Sequence, residues 1–93
     1  MIGTSGEKLS ARELGQAAMA TVSELSGHQP ESLSGLEWDG DSWCVRVDVV
    51  EMARIPRTAD VLATYEVRLD DYGTLRGYRR VMRFTRGGPL DDD

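Results

Sequence analysis

Cysteine and histidine each occur once, as Cys44 and His28, and no stretch approaches the ~18–20 consecutive apolar residues that a membrane-spanning helix needs. A lone thiol cannot close an internal disulfide, which suits a reducing compartment. Metal signatures are missing too. There is no Cys-x-x-Cys and no pair of histidines, and Asp39-Gly40-Asp41 is too short for a calcium loop. Gly87-Gly88 precede no helical pattern, so no glycine-rich phosphate loop is present. The start, Met1-Ile2-Gly3-Thr4-Ser5-Gly6-Glu7-Lys8, lacks the basic and then apolar regions of a secretory signal. Cys44 falls in a strand pattern and His28 follows a helix-stop glycine, so a packing thiol and a turn imidazole account for both better than a nucleophile and its base. These absences predict a non-catalytic cytoplasmic protein with no metal and no cofactor.

What is present is the composition of one ordinary folded domain. The 93 residues are 40% hydrophobic and 29% charged. A chain of this length buries about 60–65% of its unfolded surface, enough for one modest core. The net charge of −5 is unevenly spread. Residues 1–75 carry six basic and thirteen acidic side chains, whereas 76–86 carry Arg76, Arg79, Arg80, Arg83 and Arg86 with no acid. The end is acidic again, at Asp91, Asp92 and Asp93. A basic segment on an acidic protein suggests an acidic protein partner. Nucleic acid is disfavoured, because the rest of the chain would repel phosphate.

Residues 1–8 are Gly- and Ser-rich and predict a flexible leader, with the domain over 9–86 and a disordered acidic tail over 87–93. Ser10 followed by Glu13 is a capping box, and Leu9 with Leu14 forms a hydrophobic staple. Leu14, Ala17, Ala18, Val22 and Leu25 then recur at helical spacing, and Gly27 and Pro30 stop the pattern. A helix is expected over roughly Ala11–Ser26, with Leu14, Val22 and Leu25 packed on a sheet. After Pro30 the period becomes two. Ser34, Leu36 and Trp38 form a short strand, Asp39-Gly40 a hairpin turn, and Trp43, Val45, Val47 and Val49 the inner face of the next strand. Trp38 and Trp43 flank the turn and are expected to pair across it. The stretch Met52–Asp60 contains Pro56 and reads as a connection. Val61, Ala63, Tyr65, Val67 and Leu69 alternate again, and Asp70-Asp71-Tyr72-Gly73 turns the chain.

The last element, Thr74–Arg86, fits two patterns. A strand would put Arg76, Tyr78, Arg80, Met82 and Phe84 on one face and Leu75, Arg79, Val81 and Arg83 on the other. A helix would align Arg76, Arg79, Arg80 and Arg83 on one stripe. Gly77, the β-branched and aromatic residues and the preceding turn favour the strand. The fold expected is α+β, one N-terminal helix packed on a four-stranded antiparallel meander. The arginines either pair with neighbouring acids such as Glu66 and Asp48 or present a basic surface. Tyr78, Arg79, Arg80 and Arg83 are the candidate partner-binding residues. A small ligand-binding domain or enzyme would instead need a pocket lined by groups such as Tyr65 and Trp43.

The run Val45-Arg46-Val47-Asp48-Val49-Val50-Glu51, then Arg54-Ile55-Pro56, Asp60-Val61-Leu62-Ala63-Thr64-Tyr65-Glu66-Val67 and Gly77-Tyr78-Arg79-Arg80-Val81, resembles the gas vesicle protein O family. The upstream helix with its Gly27-x-x-Pro30 exit fits the same pattern, and the resemblance spans about residues 10–87. It implies an accessory role in building gas vesicles, hollow proteinaceous flotation shells, with no assigned catalytic site. Contacts with other vesicle proteins, either assembly factors or shell subunits, are the expected activity. A regulatory protein acting on vesicle gene expression is the alternative within the same process.

Overall fold

The computed structural model describes residues 8–87. Helix α1 (Ala11–Ser26) is followed by β1 (Gln29–Trp38), β2 (Trp43–Met52), a short 3-10 turn (Arg57–Ala59), β3 (Val61–Leu69) and β4 (Leu75–Thr85). The four strands form one antiparallel meander in the order β1-β2-β3-β4, the α+β arrangement expected. The stretches read as a flexible leader and an acidic tail lie outside the described residues, apart from Lys8 and Gly87.

The start of α1 follows from its sequence. The Ser10 amide donates to Glu13 Oε1 at 2.8 Å and the Glu13 amide to Ser10 Oγ at 3.2 Å, satisfying two amides that have no partner within the helix. At the other end Gly27 adopts φ 75°, a left-handed conformation that suits glycine and ends the helix. Gly15 has a different reason. A Cβ there would meet Leu33 Cδ1 at 2.8 Å, so the missing side chain lets α1 approach β1.

The core lies between α1 and one face of the sheet. Leu14, Ala18 and Val22 pack on Val45, Val47, Val49, Ala63, Val67 and Leu69, all essentially inaccessible to solvent. Leu25 departs from expectation, with 54% of its surface exposed. The buried stripe ends at Val22, because the final turn leads into Gly27 and the chain reverses into β1. Leu25 is left at the rim.

The first strand is longer than the alternation suggested. It begins at Gln29 and includes Pro30, which is tolerable because β1 is an outer strand. Trp38 and Trp43 stand opposite each other with ring centroids 5.3 Å apart, as expected, but only Trp43 packs on the core; Trp38 is largely exposed.

A helix of 16 residues spans about 24 Å, and a ten-residue strand about 33 Å. The Leu9 amide donates to Asp71 O at 2.8 Å, tying the start of α1 to the β3–β4 turn. At the other end only two residues separate Ser26, the last of α1, from Gln29, the first of β1. Laterally, α1 packs on β1, β2 and β3 and leaves β4 mostly uncovered.

Candidate functional site

The four candidate residues all lie on β4, but the strand does not keep them together. Two bulges shift its register against β3. Arg68 pairs with Gly77 and Leu69 with Leu75, passing over Arg76; Thr64 pairs with Met82 and Tyr65 with Arg80, passing over Val81. Directly opposed residues share a face. Tyr78, Arg80 and Arg83 oppose Val67, Tyr65 and Ala63 and so lie on the α1 side. Arg79, Met82 and Phe84 oppose Glu66, Thr64 and Leu62 and lie on the face that carries no helix. Strict alternation had grouped Met82 and Phe84 with Tyr78 and Arg80. The extra residue at Val81 inverts the phase between them, which corrects that grouping.

On the α1 side the organising group is Glu51, whose side chain is only 11% exposed. Arg80 Nη1 lies 3.1 and 3.0 Å from its two carboxylate oxygens, and Arg83 Nε lies 3.3 Å from Oε1. The Tyr65 hydroxyl also donates to it, at 3.3 Å. Tyr78 stacks on Tyr65 with centroids 5.3 Å apart and planes inclined by 14°. Burial, and then the Glu51 charge, push the Tyr65 phenol above its usual range, and burial does the same to Tyr78. Both tyrosines are thus neutral at physiological pH. One carboxylate serves two guanidiniums, so the cluster keeps a surplus positive charge, and Arg80 and Arg83 remain 48% and 56% exposed.

The other face repeats the arrangement. Glu66, nearly buried, accepts from Arg79 Nε at 3.0 Å and faces Arg46 Nη2 at 3.9 Å. The expected Glu66 pairing is therefore present. The other acid named for the arginines, Asp48, instead accepts from the hydroxyls of Thr64 and Ser34, at 2.6 and 3.3 Å. A shallow hollow beside it is lined by Val81, Met82 and Phe84 as well.

Arg76 reaches Asp41 at 3.8 Å, and Arg86 holds Glu31 and Asp60. Every arginine of the basic segment therefore has an acidic partner.

Sequence reasoning missed Glu51 as a site residue. Its signal was the stripe Val45, Val47, Val49, whose next inward position is Glu51. Pairing passes over Glu51 between Val50 and Met52, just as it passes over Glu31 in β1 and Arg76 in β4. Three of the residues that the pairing skips are thus charged, and each makes an ion pair. A bulge re-aims its side chain, and here it aims charge at charge.

Cys44 Sγ lies 3.4 Å from Asp39 Oδ2, and burial, then that carboxylate, push its thiol up, opposite to the activation a nucleophile needs. His28 precedes the start of β1, at the far end of the hairpin from Cys44. Trp43 Nε1 donates to Asp71 at 3.1 Å, and Tyr65 is committed to Glu51. No helix among the described residues is long and apolar enough to cross a membrane.

Comparison with known proteins gives one consistent answer. Gas vesicle protein O of Streptomyces sp. (strain CB03234) is 49% identical over 72 residues, covering 77% of this chain and 56% of the relative. Gas vesicle protein O1 of Halobacterium salinarum is 34% identical over 70 residues, covering 75% and 59%. Gas vesicle protein O of Haloferax mediterranei is 33% identical over 87 residues, covering 92% and 57%. The matches thus span just over half the length of each relative. No solved structure matches the chain. The family described as gas vesicle synthesis protein GvpO matches residues 3–89, and the chain belongs to that family.

Proposed function

We propose that this protein serves gas vesicle formation as a non-catalytic, cytoplasmic accessory protein, acting through contacts with other vesicle proteins, either assembly factors or shell subunits. Family membership supplies the process. The observation that carries the mode of action is the Glu51 cluster, in which a nearly buried carboxylate holds Arg80 and Arg83 in place while leaving a net positive charge at the surface. Holding both guanidiniums in advance lowers the entropy lost on binding, and their unshared charge favours an acidic segment. Tyr78, stacked on Tyr65 beside them, adds apolar contact. Arg79 works on the opposite face, so it meets the same partner only if that partner wraps around β4.

Reversing Arg80 and Arg83 to Glu would set three carboxylates against one another and threaten the fold. A cleaner test neutralises the cluster as Glu51→Gln/Arg80→Gln/Arg83→Gln and compares it with Glu51→Gln alone, both in the full chain. Each would be assayed for vesicle formation in cells expressing the vesicle genes, and for salt-dependent binding to the purified partner. The neutral triple variant should fold, bind more weakly and lose salt dependence. Glu51→Gln alone raises the local charge and should bind more tightly at low salt. Unchanged binding and vesicle yield in both would end the reading.

A further inference from the structure

The connection between β2 and β3, residues 53–60, has both of its ends fastened. Asp60 is buried. Its Oδ1 accepts the Arg54 amide at 2.7 Å, and its Oδ2 accepts Arg86 Nε at 3.0 Å. Arg86 also grips both oxygens of Glu31, at 2.8 and 2.6 Å, so one guanidinium joins the start of β1, the end of the connection and the end of β4. The Arg86 amide donates to Asp60 O and the Gly87 amide to Thr58 O, both at 2.8 Å. The Arg54 amide, then burial in the opposing direction and the Arg86 hydrogen bond, leave the Asp60 carboxyl below its usual range, and the Glu31 hydrogen bond raises Arg86.

At the tip of this fastened segment stands Ile55, 100% exposed. Met52 nearby is exposed as well, and Ala53 and Ala59 line a shallow hollow beside Ile55. Arg54 and Arg57 flank it, exposed, and neither makes an ion pair with a described residue. That contrasts with Arg76, Arg79, Arg80, Arg83 and Arg86, each of which does. A single exposed aliphatic side chain is ordinary on a protein surface. Here the side chain is held out by a buried polar anchor, between two cations with no described counter-ion.

We propose that Ile55 is a docking knob that enters an apolar pocket on a partner protein, with Arg54 and Arg57 meeting carboxylates on the rim of that pocket. Interface anchors have this form, an apolar group filling a pocket inside a polar rim. Fixing the loop beforehand removes most of the ordering entropy that binding would otherwise lose. A bilayer fits less well. One isoleucine offers far less apolar surface than a single acyl chain, which itself binds only marginally, and a protein of net charge −5 is repelled by anionic lipid. The inference rests on the contact-based function proposed above, but on a separate surface.

The test replaces Ile55 with photoreactive benzoylphenylalanine in the full chain, in cells expressing the vesicle genes, with the same probe at exposed Gln16 and at Arg83 as references. Crosslinked peptides are mapped by mass spectrometry, and the captured protein is purified for binding measurements. The expected result is capture from position 55 of a different protein, on a segment combining apolar residues with Asp or Glu. Ile55→Asp should then weaken binding to that protein about tenfold to a hundredfold, with the melting temperature unchanged and Ile55→Val still binding. Arg54→Glu/Arg57→Glu should also weaken it and reduce its salt dependence. Crosslinks to lipid, to this chain itself, or no stronger than those from Gln16 would overturn the proposal, as would binding by Ile55→Asp within about twofold of the parent. Capture from position 83 but not 55 would sink this inference alone. Capture from neither would sink the contact-based function as well.

Discussion

At the end of the sheet that carries the two hairpin turns, the carboxylates mainly serve the chain's own amides. Asp39 Oδ1 accepts the amides of Asp41 and Ser42, and Asp70 Oδ1 those of Tyr72 and Thr74, all at 2.9 Å. Asp71 accepts Trp43 Nε1. At the opposite end, Glu31, Glu51 and Asp60 hold guanidiniums instead. The residue type is the same, but the partner differs. A carboxylate that caps backbone closes a turn, and the cations at this end are paired one to one, Arg68 with Asp39 and Arg76 with Asp41. Glu51, which holds two arginines, leaves a cation at the surface, whereas Glu31 and Asp60 share the one Arg86. The turn end is closed by local caps, and the far end is joined by ion pairs between distant strands.

The largest difference between the ends should appear in the helix that joins them. Leu14 is buried near the turn end, so Leu14→Ala should lower stability by about 2–4 kcal/mol, whereas Leu25→Ala at the exposed far end should lower it by less than about 1 kcal/mol. Urea midpoints of the two variants measure this, and equal losses would mean that the helix docks along its whole length.

Acid should reach both ends next. Asp39, Asp60 and Asp70 are held below the ordinary aspartate value of 3.8, the first by the Ser42 amide, the second by that of Arg54 and the third by that of Thr74. Glu31 is held below 4.5 by Arg86. As pH falls, the unfolded chain takes up protons first. The stability these groups contribute is complete above their unfolded values and is lost as pH falls through the lower folded values. Thermal midpoints should be flat from pH 7 to about 5 and fall below about 4. Asp70→Asn and Asp60→Asn should each flatten part of that fall. If neither does, other groups set the acid limit.

A smaller effect separates stability from binding. Removing the Asp70 cap with Asp70→Ala should lower the melting temperature while leaving partner affinity intact in the folded fraction. Glu51→Gln should move affinity more than melting temperature, because the surface cation is strengthened while the core is untouched. Loss of affinity in Asp70→Ala at a temperature where it is folded would blur the division between the ends.

The turn end was the more legible in sequence, for a physical reason. Caps and tight turns are local, so Ser10 with Glu13, Gly27, Asp39-Gly40 and Asp70 through Gly73 announce themselves within a few residues. The alternating stripes of β2 and β3 were equally readable, because both face one core. The far end depends on partners 29 and 55 residues apart, such as Arg80 with Glu51 and Arg86 with Glu31. Their meeting depends on bulges, which change which side of the sheet a residue faces and leave no clear mark in composition. That is why Arg83, which strict alternation places on the face of Arg79, could not be assigned to the face of Arg80 in advance. Leu25 failed for a related reason. Its place on the helical stripe was right, but burial also requires a surface opposite it.

The skipped residues have one more consequence. Glu31 and Ser34 interrupt the pairing of β1 with β2, and Arg76 and Val81 that of β4 with β3, so both outermost strands are bulged. An added strand would meet broken hydrogen-bond spacing, Pro30 without an amide on one side and a row of arginines on the other. Both borders therefore disfavour the growth of a continuous sheet.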